Sequence, residues 1–154
     1  MNRRLFYITF FSFSLMAILY AVALVYGLFF YWWWFDIPMH FLGGFFAGCL
    51  VLLIFSKKFP VGRDLFLAGF FGALLIGVAW EFFEYLTGLA FIAQGNYTFD
   101  TIKDYLMDSF GALFAYAVAV RILAKVAWLF SAKSARIFRS TAMFFFFSAP
   151  INLL

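Results

Sequence analysis

Within one apolar stretch, Glu81-Phe82-Phe83-Glu84 sets two carboxylates three residues apart. Further along, Asp100, Asp104 and Asp108 repeat at intervals of four, and the chain's one histidine, His40, stands four residues after Asp36. On helices, spacings of three and four put each set on a single face. Carboxylate oxygens around one imidazole are the donor set of a divalent metal ion: Mg²⁺, Mn²⁺, Ca²⁺, or a carboxylate-rich Zn²⁺ or Fe²⁺ site. His40, Glu81, Glu84, Asp104 and Asp108 are therefore the candidate metal ligands, with Asp36 and Asp100 as secondary candidates. The pattern names neither the metal nor a catalytic residue.

Each of these residues also has a plainer role. Asp36 and Asp100 stand where helices should open, so N-capping would account for them equally well. Asp36-Ile37-Pro38 suits such a start, because proline is tolerated in a first helical turn. His40 can serve as a structural partner of a carboxylate. Hydrogen bonds between protonated acids on different helices would explain Glu81, Glu84, Asp104 and Asp108 without a metal. Ionisable groups inside apolar runs are nevertheless expensive and by default functional, which favours a site. Asp64, next to Arg63, reads as a helix N-cap or a solvated charge.

The elements that must position these groups follow from composition. Of 154 residues, 68% are hydrophobic and 12% charged, against about half and about a quarter in soluble domains. So little polar surface cannot cover a water-soluble particle, and the bilayer must solvate much of the chain. Four apolar stretches are long enough to cross about 30 Å of hydrocarbon. They cover residues 5–31, 36–55, 65–91 and 100–130. Short connectors suit antiparallel neighbours. The expectation is one all-α domain over residues 1–130, a polytopic membrane bundle of four transmembrane helices.

Residues 131–154 read as a tail. Lys133, Arg136 and Arg139 recur at helical spacing, and the apolar Thr141–Ala149 segment that follows is too short to span. An interfacial or partly inserted C-terminal helix is expected there, with an incomplete fifth span as the alternative.

Charge fixes the orientation. Arg3, Arg4, Lys57, Lys58, Arg63, Arg121, Lys125 and the tail cations fall on one side of four alternating spans, and Lys103 alone on the other. Excess basic charge marks the cytoplasmic side, so both termini are expected there, in a bacterial-type inner membrane. Trp32, Trp33 and Trp34 would anchor the outer interface and Trp128 the inner one. A cleavable signal peptide is disfavoured because the first apolar run continues to Trp34 without a polar cleavage region. Arg3-Arg4 is followed by a segment too hydrophobic for a twin-arginine signal. A single cysteine, Cys49, rules out an intrachain disulfide, and no Cys/His spacing suggests structural zinc. Membrane lipid is the expected partner and nucleic acid is not; self-association into a homo-oligomer stays open.

Beyond the acids, the same faces become small. His40 is followed by Gly43, Gly44 and Ala47; Gly77 and Gly88 flank Glu81 and Glu84; Gly111, Ala115 and Ala119 continue from Asp104 and Asp108. Small residues let spanning helices approach closely, so the acidic faces should meet one another and not lipid. Depths agree, with His40 and Asp104 roughly 6 Å below their helix starts and the glutamates roughly 10 Å from their helix end. One charge at mid-membrane costs about 2.5–3.5 kcal/mol on insertion scales, and neighbouring like charges repel. Lys103 and His40 do not balance the acids around them. Either several acids are protonated or divalent cations supply the missing charge.

Three motifs in order also carry a family likeness. Phe35-Asp36-Ile37-Pro38-Met39-His40, Glu81-Phe82-Phe83-Glu84, and Asp100-Thr101-Ile102-Lys103-Asp104 with Asp108 and Gly111-Ala112 together resemble YjdF-like bacterial inner-membrane proteins. VanZ-like proteins show a looser version of the layout, with amides at some positions where this chain keeps acids. The likeness spans residues 35–116 and implies the fold and the shared acidic positions. It implies no reaction.

Three functions fit these readings. A metal-dependent enzyme acting on a lipid-linked or outer-leaflet substrate would use one or two cations to polarise a substrate oxygen and activate water. A non-catalytic structural or regulatory protein would use metal or acids to clamp helices. An ion- or proton-translocating protein would need a polar path, whereas the same faces turn to Gly and Ala toward the cytoplasm.

Overall fold

The computed structural model describes the backbone of residues 2–88 and 97–147 and the side chains of residues 2–88 and 98–124. Helix α1 spans Arg3–Tyr26. Asn2 caps it, with Oδ1 accepting from the amides of Arg4 at 3.1 Å and Leu5 at 3.3 Å. Gly27 ends it in the left-handed region at φ 63, its N–H donating to the Ala23 carbonyl. Only a residue without Cβ takes that conformation cheaply. The first apolar run, expected to be continuous to Tyr31, is therefore divided, and Leu28–Tyr31 forms a separate single turn, α2.

Helix α3 covers Asp36–Phe55 and α4 covers Arg63–Thr87. Gly88, at φ 77, closes α4 after Thr87, and residues 89–91 of the expected third span lie outside the described residues. Asp64 is not the cap of this helix; Gly62 holds that position and Asp64 sits in the first turn, where a negative charge meets the positive end of the helix dipole. Helix α5 runs unbroken over Tyr97–Phe147, about 76 Å at 1.5 Å per residue. Its backbone continues past the expected end near residue 130. The side chains of Trp128, Lys133, Arg136 and Arg139 lie outside the described residues, as do residues 148–154 and the 89–96 connector.

Four helices, α1, α3, α4 and the Thr98–Ala124 part of α5, are long and apolar enough to cross a membrane. The chain is an all-α, polytopic membrane bundle. Two contacts fix how they alternate. The Tyr116 hydroxyl donates to the Gly62 carbonyl at 3.1 Å, tying α5 to the start of α4. At the opposite end Lys103 Nζ lies 3.1 Å from Asp36 Oδ2. Helices α3 and α5 therefore run parallel, both starting at an acidic end, while α1 and α4 run the other way from a basic end.

The inside of the bundle is small. Buried residues of α4 recur every fourth position, as Leu65, Gly69, Ala73, Gly77 and Glu81. Leu5, Cys49, Leu52, Leu65, Ala115 and Ala119 form one apolar cluster, and Ala47, Ala73 and Ala112 another. Bulk faces outward: Phe11, Phe71, Phe82 and Phe110 are all exposed. In lipid there is no hydrophobic penalty for that arrangement, and close packing supplies the cohesion. The tightest seam joins α3 and α5. A Cβ at Gly44 would collide with the Asp108 backbone, and one at Gly111 with the Phe41 carbonyl and the Phe45 amide.

Candidate functional site

The parallel seam decides where the acids go. Because Gly44 lies against the Asp108 backbone, α3 and α5 share one depth, and His40 is carried to the level of Asp104 and Asp108. Helix α4 then presents Glu81, the last member of its small stripe, to the same point. His40 Nε2 is 3.4 Å from Asp36 Oδ1, 3.8 Å from Glu81 Oε1 and 3.8 Å from Asp104 Oδ1. The other ring nitrogen, Nδ1, faces Asp108 Oδ1 at 3.6 Å. Only the shortest approaches the range of a hydrogen bond. The imidazole is surrounded without being firmly bonded.

These groups are also shut away from solvent and lipid. His40 is 6% exposed, Glu81 5%, Asp104 2% and Asp108 4%. Three carboxylate oxygens among them are buried with no hydrogen-bond partner: Glu81 Oε1, Asp104 Oδ1 and Asp108 Oδ2. Asp104 Oδ1 lies 3.4 Å from Lys103 Nζ, close enough for attraction but beyond hydrogen-bond length. Each orphaned acceptor costs about 1–3 kcal/mol.

Other oxygens are satisfied. Lys103 Nζ donates to Asp100 Oδ1 at 2.5 Å and Asp36 Oδ2 at 3.1 Å. Thr101 donates to Glu81 Oε2 at 3.3 Å, and the Trp80 indole N–H to Glu84 Oε1 at 2.9 Å. Asp36 is the first residue of α3, following Phe35 at the cap position, and its carboxylate turns to Lys103 and His40. Asp100 lies in the first turn of α5 and pairs with Lys103. Two groups have donor atoms within 4.8 Å of one another: Asp36, His40 and Asp104, and His40, Glu81 and Glu84. His40 belongs to both. Asp108 is in neither, although it touches the ring from the other side.

Glycines shape the seat of Asp108. A Cβ at Gly77 would collide with Asp108 Oδ2, and one at Gly43 would lie 3.8 Å from Oδ1. Its carboxylate rests in a notch cut by residues that lack side chains.

Beside the cluster, α1, α3 and α4 enclose a cavity of about 370 Å³. Asp36, His40, Glu84 and Asp108 line its acidic end, and Met16, Phe46, Ala73 and Ile76 its apolar remainder. Tyr20 packs edge-on against Trp80 at 5.5 Å and bridges α1 to α4 there. Several of these features escape a sequence reading. Trp80 could be found only by its place four residues before Glu84, and Thr101 by adjacency to Asp100. Nothing in α1, which carries no charge between Arg4 and Tyr26, announces a cavity wall.

A four-span membrane bundle with a buried imidazole–carboxylate cluster beside an intramembrane cavity is the class that fold and site define. The chain belongs to the DUF2238 family, described as a predicted membrane protein, whose model matches residues 2–125. That match takes in all four spans. No curated protein and no solved structure matches the chain.

Proposed function

We propose that the protein is a divalent-cation-dependent membrane enzyme acting on a lipid or lipid-linked substrate. The observation that carries this reading is the trio of buried, unpartnered oxygens on Glu81, Asp104 and Asp108 around His40. A cation beside His40 Nε2 would satisfy Glu81 Oε1 and Asp104 Oδ1, the two of these oxygens on that side of the ring, and would offset the repulsion among the acids. His40 Nε2 and oxygens of Asp36, Asp104 and Glu81 are the ligand pool, and Glu84, the remaining carboxylate of the second donor group, is left free as the base. Asp108, across the ring at Nδ1, stands where a carboxylate orients a ligating imidazole. A bound cation would polarise a substrate oxygen and lower the pKa of an attacking water. Glu84, which lines the cavity, is placed to take that water's proton.

The setting belongs to the same proposal. Basic residues gather at one end of the bundle, which by charge bias is cytoplasmic along with both termini, in an inner-type membrane. The cluster then faces the outer leaflet. The tail's cations Lys133, Arg136 and Arg139 would meet anionic headgroups, and kinship with YjdF-like proteins, more loosely VanZ-like ones, accounts for the motif order. Membrane lipid is the partner, nucleic acid is not, and self-association would proceed through the exposed apolar faces.

One observation favours a second reading, a non-catalytic clamp: Asp108 Oδ2 of α5 is seated against Gly77 of α4, where a side chain would part the two helices. A clamp and an enzyme diverge at Glu84. Under the enzyme reading, Glu84→Gln stays folded and fails to rescue a deletion strain; under the clamp reading it rescues fully. The metal is tested by elemental analysis of detergent-purified protein. Wild type should carry stoichiometric divalent metal and Asp104→Asn with Asp108→Asn should lose it. Absence of metal from both removes the proposal.

A further inference from the structure

We infer that the cavity holds the hydrocarbon chain of an acyl lipid and presents its uncharged ester or amide carbonyl to the His40 cluster, an inference that rests on the cation reading above. Shape comes first. The lining runs from Asp36 to Ala47 along α3, a depth of about 16 Å at 1.5 Å per residue, and its volume of about 370 Å³ falls among small-molecule pockets of about 300–1,000 Å³. The deep part is walled by Met16, Phe46, Ala73 and Ile76. Such a slot, apolar below and ionisable at one end, fits an amphiphile.

Access is lateral. Helix α1 packs along α3 and touches α4 only sparsely, with Tyr20 against Trp80 as the bridge between them. A chain already dissolved in the bilayer can enter between α1 and α4 without crossing water.

Charge selects the head. Phosphate recognition calls on Arg, Lys or clustered backbone N–H groups, and among the described residues the cavity wall contains no Lys or Arg. Lys103 does not line the cavity; it is held by Asp36, Asp100 and Asp104. One divalent cation and Lys103 together neutralise only half of the cluster's carboxylates, Asp36, Glu81, Glu84, Asp100, Asp104 and Asp108. A phosphate head would meet net repulsion. A neutral carbonyl would not.

The chemistry balances as hydrolysis. Water forms a bond to the carbonyl carbon while Glu84 accepts its proton; the carbon–oxygen or carbon–nitrogen bond then breaks, and the proton passes to the leaving alkoxide or amide nitrogen. Products are a fatty acid and an alcohol or amine, with no redox change.

The test uses purified full-length protein in nanodiscs, supplied with Mn²⁺ or Zn²⁺ and assayed for bound metal. Three probes are added separately: a monoacylglycerol, an N-acylethanolamine and a lysophosphatidic acid. Fatty acid released from either neutral probe, without release of inorganic phosphate from the third, is the expected result. Ala17→Trp, which plugs the cavity from α1, should cut that release by about 100-fold while metal stays bound. Ile18→Trp, on the lipid-exposed side of the same helix, should leave it unchanged. Phosphate release, no product from a metal-loaded protein, or acyl release indifferent to Ala17→Trp would each overturn the inference while leaving the cation reading intact. A protein that binds no metal defeats the cation reading itself.

Discussion

At the scale of single residues, the site depends as much on missing side chains as on present ones. Asp108 Oδ2 occupies the space a methyl group at Gly77 would take. Gly69 is a fair comparison, since its Cβ would meet only the flexible end of Leu52. Overpacking costs about 1–3 kcal/mol at either position, so Gly77→Ala and Gly69→Ala should lower thermal stability similarly. Only Gly77→Ala should also weaken divalent-cation binding, measured by calorimetry. Lys103 gives a second prediction. It is the one cation facing Asp36, Asp100 and Asp104 among the described residues. Lys103→Met should destabilise the metal-stripped protein by up to about 3–5 kcal/mol, an upper bound because the side chain is 20% exposed. Added Mn²⁺ should raise the Tm of this variant more than that of wild type. The candidate acids were legible in the sequence because charge inside an apolar run is conspicuous. Trp80 and Thr101 were not, since an indole or hydroxyl near lipid has many ordinary uses. The capping alternative for Asp36 and Asp100 could be weighed only once Lys103 was seen to hold both carboxylates, one across from α3 and one on its own helix.

At the scale of elements, the α3–α5 seam sets the geometry of everything else. Gly44 and Gly111 touch backbone on the opposite helix, and backbone cannot swing aside as a side-chain tip can. Gly44→Ala and Gly111→Ala should therefore be the most damaging of the glycine-to-alanine changes, and Gly111→Ala should cost about 3 kcal/mol or more, seen as a fall in denaturation midpoint. It should also separate His40 from Asp104 and Asp108 and abolish cation binding. Gly72→Ala, meeting only Val51 side-chain atoms, should be milder. Small-residue stripes made this seam readable in advance, as in Gly44-xxx-Gly48 and Gly111-xxx-Ala115. The break at Gly27 and the end of α4 at Gly88 were less visible, because a glycine inside an apolar run signals close packing or a helix stop with equal force. Both adopt positive φ, a choice that tertiary context makes. Helix α1 was the least informative. Its apolar residues surround it on every side, so no face declared itself as the one lining a cavity.

At the scale of the whole molecule, the bundle is strongly asymmetric. One end collects the acids with Lys103, the other the basic residues with a plug of Leu5, Leu52, Leu65, Ala115 and Ala119. That plug is apolar, and the buried hydroxyls near it on α1, Thr9 and Ser12, bond to carbonyls of their own helix, an arrangement that speaks against a path through a single copy. Orientation is a separate prediction. In intact cells, Trp33→Cys should react with an impermeant maleimide and Lys58→Cys should react only after permeabilisation; Cys49 is buried and should stay silent. The opposite labelling would place the cluster at the cytoplasmic leaflet.

All of these expectations meet at His40, whose imidazole is the one nitrogen donor in a nest of oxygens. Pulsed electron paramagnetic resonance of the Mn²⁺-loaded protein reads that bond directly. Nitrogen hyperfine coupling in wild type, absent in His40→Gln although that variant remains folded, is the predicted result. Bound Mn²⁺ whose spectrum shows no nitrogen coupling, or a signal unchanged by His40→Gln, would contradict it.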